Sequence, residues 1–133
     1  MITHAGRTLF TEDELRCKGS GKLILAPGFS DHLLELRVIL DEPMTVNSCC
    51  RSASHNRAVG GHPRSLHVCD DPHWDTGGCC AIDIGHRGRP PEYRAKLVRL
   101  ALELGWAVGV HGGFIHLDRR VDFTDRPQTV FPY

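Results

Sequence analysis

The sequence has no apolar run near the roughly eighteen residues of a membrane span, no excess charge of either sign, no CxxC pair and few aromatic residues. Each absence removes a class of function. Without such a run no membrane insertion is expected, and the opening MITHAGRTLFTEDEL lacks the apolar stretch of a secretory signal, so synthesis in the cytoplasm without a signal peptide is expected. Sixteen Lys+Arg balance sixteen Asp+Glu, which excludes the basic field that nucleic acid or an anionic lipid surface attracts. The six cysteines fall as Cys17, Cys49, Cys50, Cys69, Cys79 and Cys80. Two vicinal pairs fit neither a disulfide framework nor a zinc knuckle, and no cysteine sits in a known nucleophile context. Most are therefore expected to serve as small apolar packing residues.

Histidine is what the chain has in excess: nine in 133 residues, several near glycine and aspartate, a bias toward metal or proton chemistry. The length suits one domain, 1–133, with one core, and no repeat or linker divides it. Thr11 and Glu14 form a capping box that starts a short helical turn ending near Gly19. Ser30 or Asp31 caps a second helix, whose stripe of Leu33, Leu34, Leu36 and Leu40 stops before Pro43. A third opens at Pro90-Pro91, carries Leu97, Val98, Leu100, Ala101 and Leu104, and closes at Gly105. Strands are predicted over 44–48, 80–84, 107–110 and 114–118. The segment 56–78 and the tail 121–133, rich in Gly, Pro, Asp and Arg, read as loop. Helices segregated from strands give an α+β fold, a small antiparallel sheet with helices packed on one face.

Two of the strands alternate usefully. Ile82 and Ile84 point one way while Asp83 points the other, and Ile115 and Leu117 oppose His116 and Asp118. An unpaired buried carboxylate on the polar face of an otherwise apolar strand is costly unless it meets a cation. A catalytic zinc site takes three imidazole or carboxylate ligands and keeps one position open; His67, Asp83 and His116 supply such a set.

These residues lie in recognisable company. Ser65-Leu66-His67, Ala81-Ile82-Asp83-Ile84 and Phe114-Ile115-His116-Leu117-Asp118 resemble the SxH, AxDI and FxHxD motifs of the D-alanyl-D-alanine carboxypeptidase family of zinc peptidases. That family also includes phage endolysin peptidases and the hedgehog signalling domain. Ser48 to Ser52, His55-Asn56 and Val59-Gly60-Gly61 resemble further family signatures, and the likeness runs from about Phe10 to Arg120. The resemblance implies a hedgehog-type peptidase fold and zinc ligation by His67, Asp83 and His116. It also implies a substrate grip by Arg51 and a cleft position for Ser65. A guanidinium suits that grip because it can hold a carboxylate with two parallel hydrogen bonds.

Two features depart from the family pattern. The gap from His67 to Asp83 is longer than usual, filled by CDDPHWDTGG, which reads as a loop beside the cleft and makes His73 a rival ligand. The general base, a carboxylate three residues before the last ligand in many relatives, is replaced by Gly113. His111 is then the expected proton-handling group, with Asp118 as a partner that orients His116. The implied activity is cleavage of peptidoglycan stem peptides or cross-links, as a D,D-carboxypeptidase or endopeptidase. The expected setting is a monomer released through a holin-type pore or carried in a virion. The alternative is a non-catalytic zinc-binding module or virion component that retains the fold.

Overall fold

In the computed structural model, which describes residues 1–133, the chain opens with an antiparallel hairpin of β1 (Ile2–His4) and β2 (Arg7–Phe10). The turn puts Ala5 and Gly6 at positive φ. Helix α1 (Glu12–Leu15) follows at once. Its capping box forms as predicted: the Glu14 N–H donates to Thr11 Oγ1 at 3.2 Å and the Thr11 N–H donates to Glu14 Oε1 at 2.9 Å. Two otherwise unpaired donors are thereby satisfied.

Helix α2 (Phe29–Leu40) begins slightly before the predicted cap, because Gly28 takes the left-handed conformation there (φ 82°) and turns the chain into the helix. Phe29, Leu33, Leu36 and Leu40 on its inner face are fully buried, the period expected of a one-sided helix. After β3 (Thr45–Ser48), a short helix α3 (Ala53–Ala58) is capped by Ser52, whose hydroxyl accepts from the His55 N–H. This helix is absent from the sequence-based reading, which left 56–78 as loop. Next come β4 (Ala81–Gly85), α4 (Pro91–Glu103), β5 (Ala107–Val110) and β6 (Phe114–Asp118), all within a residue or two of expectation.

The tail departs most. Instead of loop it forms α5 (Arg120–Phe123) and a last strand β7 (Val130–Pro132). The main sheet therefore runs β3-β4-β6-β5-β7, antiparallel except that β7 pairs parallel to β5 at one edge. Helix α4 packs on β5 and β6, and α2 packs on α4. Phe29 meets Trp106 edge-on at 5.7 Å between rings, closing the core under the helices.

One backbone position fixes how the loop before β4 lies. Gly78 has φ 154°, and a Cβ there would fall 2.6 Å from the Leu25 carbonyl carbon, where the Cys79 N–H donates to Ile24 O and Cys79 O accepts from Ala26. Gly78→Ala is expected to lower stability by about 3 kcal/mol, since strain and overlap with rigid backbone combine. In urea unfolding the midpoint should fall at unchanged slope; an unmoved midpoint would show that this crossing is not so tight.

Candidate metal centre and cleft

Strands β4 and β6 pair in a register that sets Asp83 directly opposite His116 and Ala81 opposite Asp118. Facing residues of an antiparallel pair share one side of the sheet, so the alternation read in the two strands converts into a shared inner face. His67 arrives from the loop after α3. Its carbonyl accepts from the Arg51 N–H at 2.9 Å, and its own N–H donates to Ser65 Oγ at 3.2 Å. The second of these explains the serine of the Ser65-Leu66-His67 motif.

The three side chains converge. His67 Nε2 lies 3.1 Å from Asp83 Oδ1, and His116 Nδ1 lies 2.9 Å from the same oxygen. All three donor atoms fall within 4.8 Å of one another, on buried residues. Ligands about 2.0–2.1 Å from a tetrahedral zinc lie roughly 3.3 Å apart, close to these separations.

Hydrogen bonding on the far sides of the rings decides what the centre needs. His67 Nδ1 is 2.7 Å from the Cys49 carbonyl, which can only accept, so this nitrogen carries the proton. Burial holds the His67 pKa below its ordinary value, against the pull of Asp83, and the ring stays neutral. Its Nε2 lone pair then faces a carboxylate oxygen. On the other ring, His116 Nε2 donates to Asp118 Oδ2 at 2.8 Å. Asp118 is kept ionised by Arg120, which grips it through Nε (2.9 Å) and Nη2 (2.7 Å). Burial alone would raise the Asp83 pKa, but the charges and hydrogen bonds of His67 and His116 outweigh it and depress it. For His116 burial is likewise outweighed, here by Asp118 and Asp83, and its affinity for a proton rises. The His67 Nε2 lone pair, a His116 Nδ1 that draws a proton toward the carboxylate, and the ionised Asp83 thus face one small volume, and a divalent cation that displaces that proton fits the donor set.

The centre opens on two sides. Asp83 borders a cavity of about 560 Å³ with Arg51, Ser48, Asn47 and Phe114, and His116 borders one of about 710 Å³ with Ser65, Trp74, Arg64 and Arg126. His62 and Tyr133 line both. The Arg51 side chain is aimed by Ser48 Oγ (3.2 Å from Nε) and Asn56 Oδ1 (3.0 Å from Nη1), leaving Nη2 3.6 Å from Asp83 Oδ2. Glycine at 61 makes this possible, because a Cβ there would come within 2.9 Å of Arg51 Nη1.

The sequence model of the family described as peptidase M15 matches residues 9–118, which include every donor and both arms of the Arg51 support. The chain belongs to the peptidase M15 family. M15 peptidases are zinc-dependent, in keeping with the donor set above. No curated protein matches the chain.

In this M15 peptidase the structure brings together five of the six residues singled out in the sequence: His67, Asp83 and His116 at the centre, with Arg51 and Ser65 on its two walls. His111 stands apart. It lies in the exposed turn after β5, its Nδ1 accepting from the Gly113 N–H at 3.0 Å and its ring stacked on Phe114 at 4.3 Å. His73 is also apart from the three donors, edge-on to Trp74 at 5.0 Å, and it is Trp74 that the insertion contributes to the cleft. Asp118 takes the orienting place expected of it. Arg120, His62 and Tyr133 were missed. The ring of Tyr133 stacks on His116 at 4.5 Å and 12°, yet it lies in a tail whose composition reads as loop, so no local pattern marks it.

Proposed function

We propose that this M15 peptidase hydrolyses amide bonds in peptidoglycan stem peptides or cross-links, as a D,D-carboxypeptidase or endopeptidase, with zinc held by His67, Asp83 and His116. The observation that carries this is the set of three donors whose lone pairs face one another at a centre open to solvent cavities on two sides. When bound at such a centre, zinc supplies Lewis acidity toward a carbonyl oxygen and lowers the pKa of water. The chain supplies the rest. Cys49 O and Asp118 fix the two imidazoles in the ligating tautomer. Arg51, aimed by Ser48 and Asn56 with Nη2 3.6 Å from Asp83 Oδ2, borders the cavity in which it would grip a substrate carboxylate or carbonyl. Arg64 and Arg126 add positive charge to the His116 side, which suits a peptide carrying free carboxylates. We further propose a phage-type lysis setting, in which the enzyme acts on the wall after release through a pore or from a virion.

His111 keeps the proton-handling role in this proposal, its ring resting on Phe114, which lines the Asp83 cavity. His111→Ala is expected to leave zinc content unchanged and to lower kcat by about two orders of magnitude; a near wild-type rate would remove it from the mechanism. Mass spectrometry of muropeptides digested with zinc-loaded and chelator-treated protein tests the function itself. New termini identify the bond cut, whereas fully loaded protein that releases no new amino groups would leave a zinc-binding module without catalysis.

A further inference from the structure

The cysteines that look like packing residues in the sequence are not scattered in the fold. Cys49 and Cys50 follow β3, Cys79 precedes β4, and the segment through Ile24 crosses between them, its strand-like bridge to Cys79 drawing the loops together. The sulfurs of Cys49, Cys50 and Cys79 all lie within 4.8 Å of one another, and all three residues are buried. The Cys49 and Cys79 sulfurs are 3.8 Å apart. That is far beyond the roughly 2.05 Å of a disulfide. It equals the edge of a tetrahedral zinc thiolate site, about 3.8 Å for Zn–S bonds near 2.3 Å.

We propose that Cys49, Cys50 and Cys79 form a second metal site, distinct from the His67–Asp83–His116 centre, that takes zinc or a similar thiophilic divalent cation. Three inward thiols with one metal edge already at full length need little movement to close on an ion. Cys50 Sγ lies 3.6 Å from the Ile24 carbonyl, and the thiolates a metal would generate here are buried beside the cation that offsets their cost. Binding replaces the thiol protons by the metal, so the site loads with proton release and weakens in acid. Its place in the fold gives it a consequence. The Cys49 carbonyl is the group that accepts from His67 Nδ1 and also from the Cys79 thiol at 3.3 Å, so an ion on these sulfurs braces the backbone that orients the first ligand of the other centre. The missing CxxC spacing hid this set, because the partners come from segments thirty residues apart.

Titration of the reduced, metal-stripped full chain with Co²⁺ tests the proposal. Two equivalents are expected, one of them giving the intense near-ultraviolet thiolate-to-cobalt charge transfer that nitrogen and oxygen ligands do not produce. Cys79→Ser should abolish that band and reduce binding to one equivalent. His116→Ala should also reduce it to one but keep the band, so failure of the peptidase centre and failure of this site read differently. Cys80→Ser, a buried thiol outside the trio, should keep both equivalents and the band. Saturated wild-type protein without the band overturns the proposal whatever its activity and however the variants fold, and so does loss of the band in Cys80→Ser alongside Cys79→Ser.

Discussion

Asp83→Ala is expected to empty the peptidase centre and to lower hydrolysis by about three orders of magnitude or more, because a zinc hydrolase deprived of a ligand loses both its Lewis acid and its activated water. Among the three donors Asp83 holds the shared position: one of its oxygens lies within 3.1 Å of His67 Nε2 and 2.9 Å of His116 Nδ1, while the other faces Arg51. It also brings the only negative charge to the trio, so its loss leaves two imidazoles near a guanidinium, a poor host for a dication. Asp83→Asn separates charge from shape. It fills the same volume between β3 and β6 and should lose zinc nearly as fully, while unfolding at much the same denaturant concentration as the metal-stripped wild type. Zinc content by atomic absorption, measured beside muropeptide release, gives the answer. Zinc retained at one equivalent by Asp83→Ala, in a chain already stripped at the thiols, would sink the assignment.

Asp118→Asn is the second large effect, and it acts on two quantities at once. Asp118 is buried with 1% of its surface exposed; it accepts from His116 Nε2 and binds Arg120 through two hydrogen bonds. Removing its charge leaves the Arg120 guanidinium buried against a neutral amide. Breaking one partner of a buried pair typically costs several kcal/mol, and a loss of about 3 kcal/mol is expected in the denaturant unfolding of metal-free protein. The amide also holds His116 less firmly and makes it a weaker base, so zinc affinity should fall by about 10- to 100-fold in competition with a chromophoric chelator. The two readouts separate the roles. Lower stability with unchanged affinity would show that strand pairing alone orients His116, and unchanged stability would mean that Arg120 finds another partner.

The face that carries the candidate ligands was legible in the sequence because β4 and β6 each carry it as simple alternation. Apolar Ile82, Ile84, Ile115 and Leu117 declare one face of the sheet, so Asp83, His116 and Asp118 must occupy the other, and the observed register then pairs Asp83 with His116. Helix α4 was equally legible, from the proline pair at its start to Gly105 after its end. The hairpin of β1 and β2, helices α3 and α5, and β7 were not. Each is three to six residues long, too short to show a period, and each is held by contacts made elsewhere in the fold.

Sequence alone therefore determined which residues are able to ligate, since donor chemistry and strand alternation are written within a few residues of one another. Only the tertiary structure decided the company they keep. It seated Tyr133 on His116, put Arg120 behind Asp118, left His111 on Phe114 and gathered three thiols from separate loops. Those outcomes depend on where distant segments cross, and no local pattern of residues encodes a crossing.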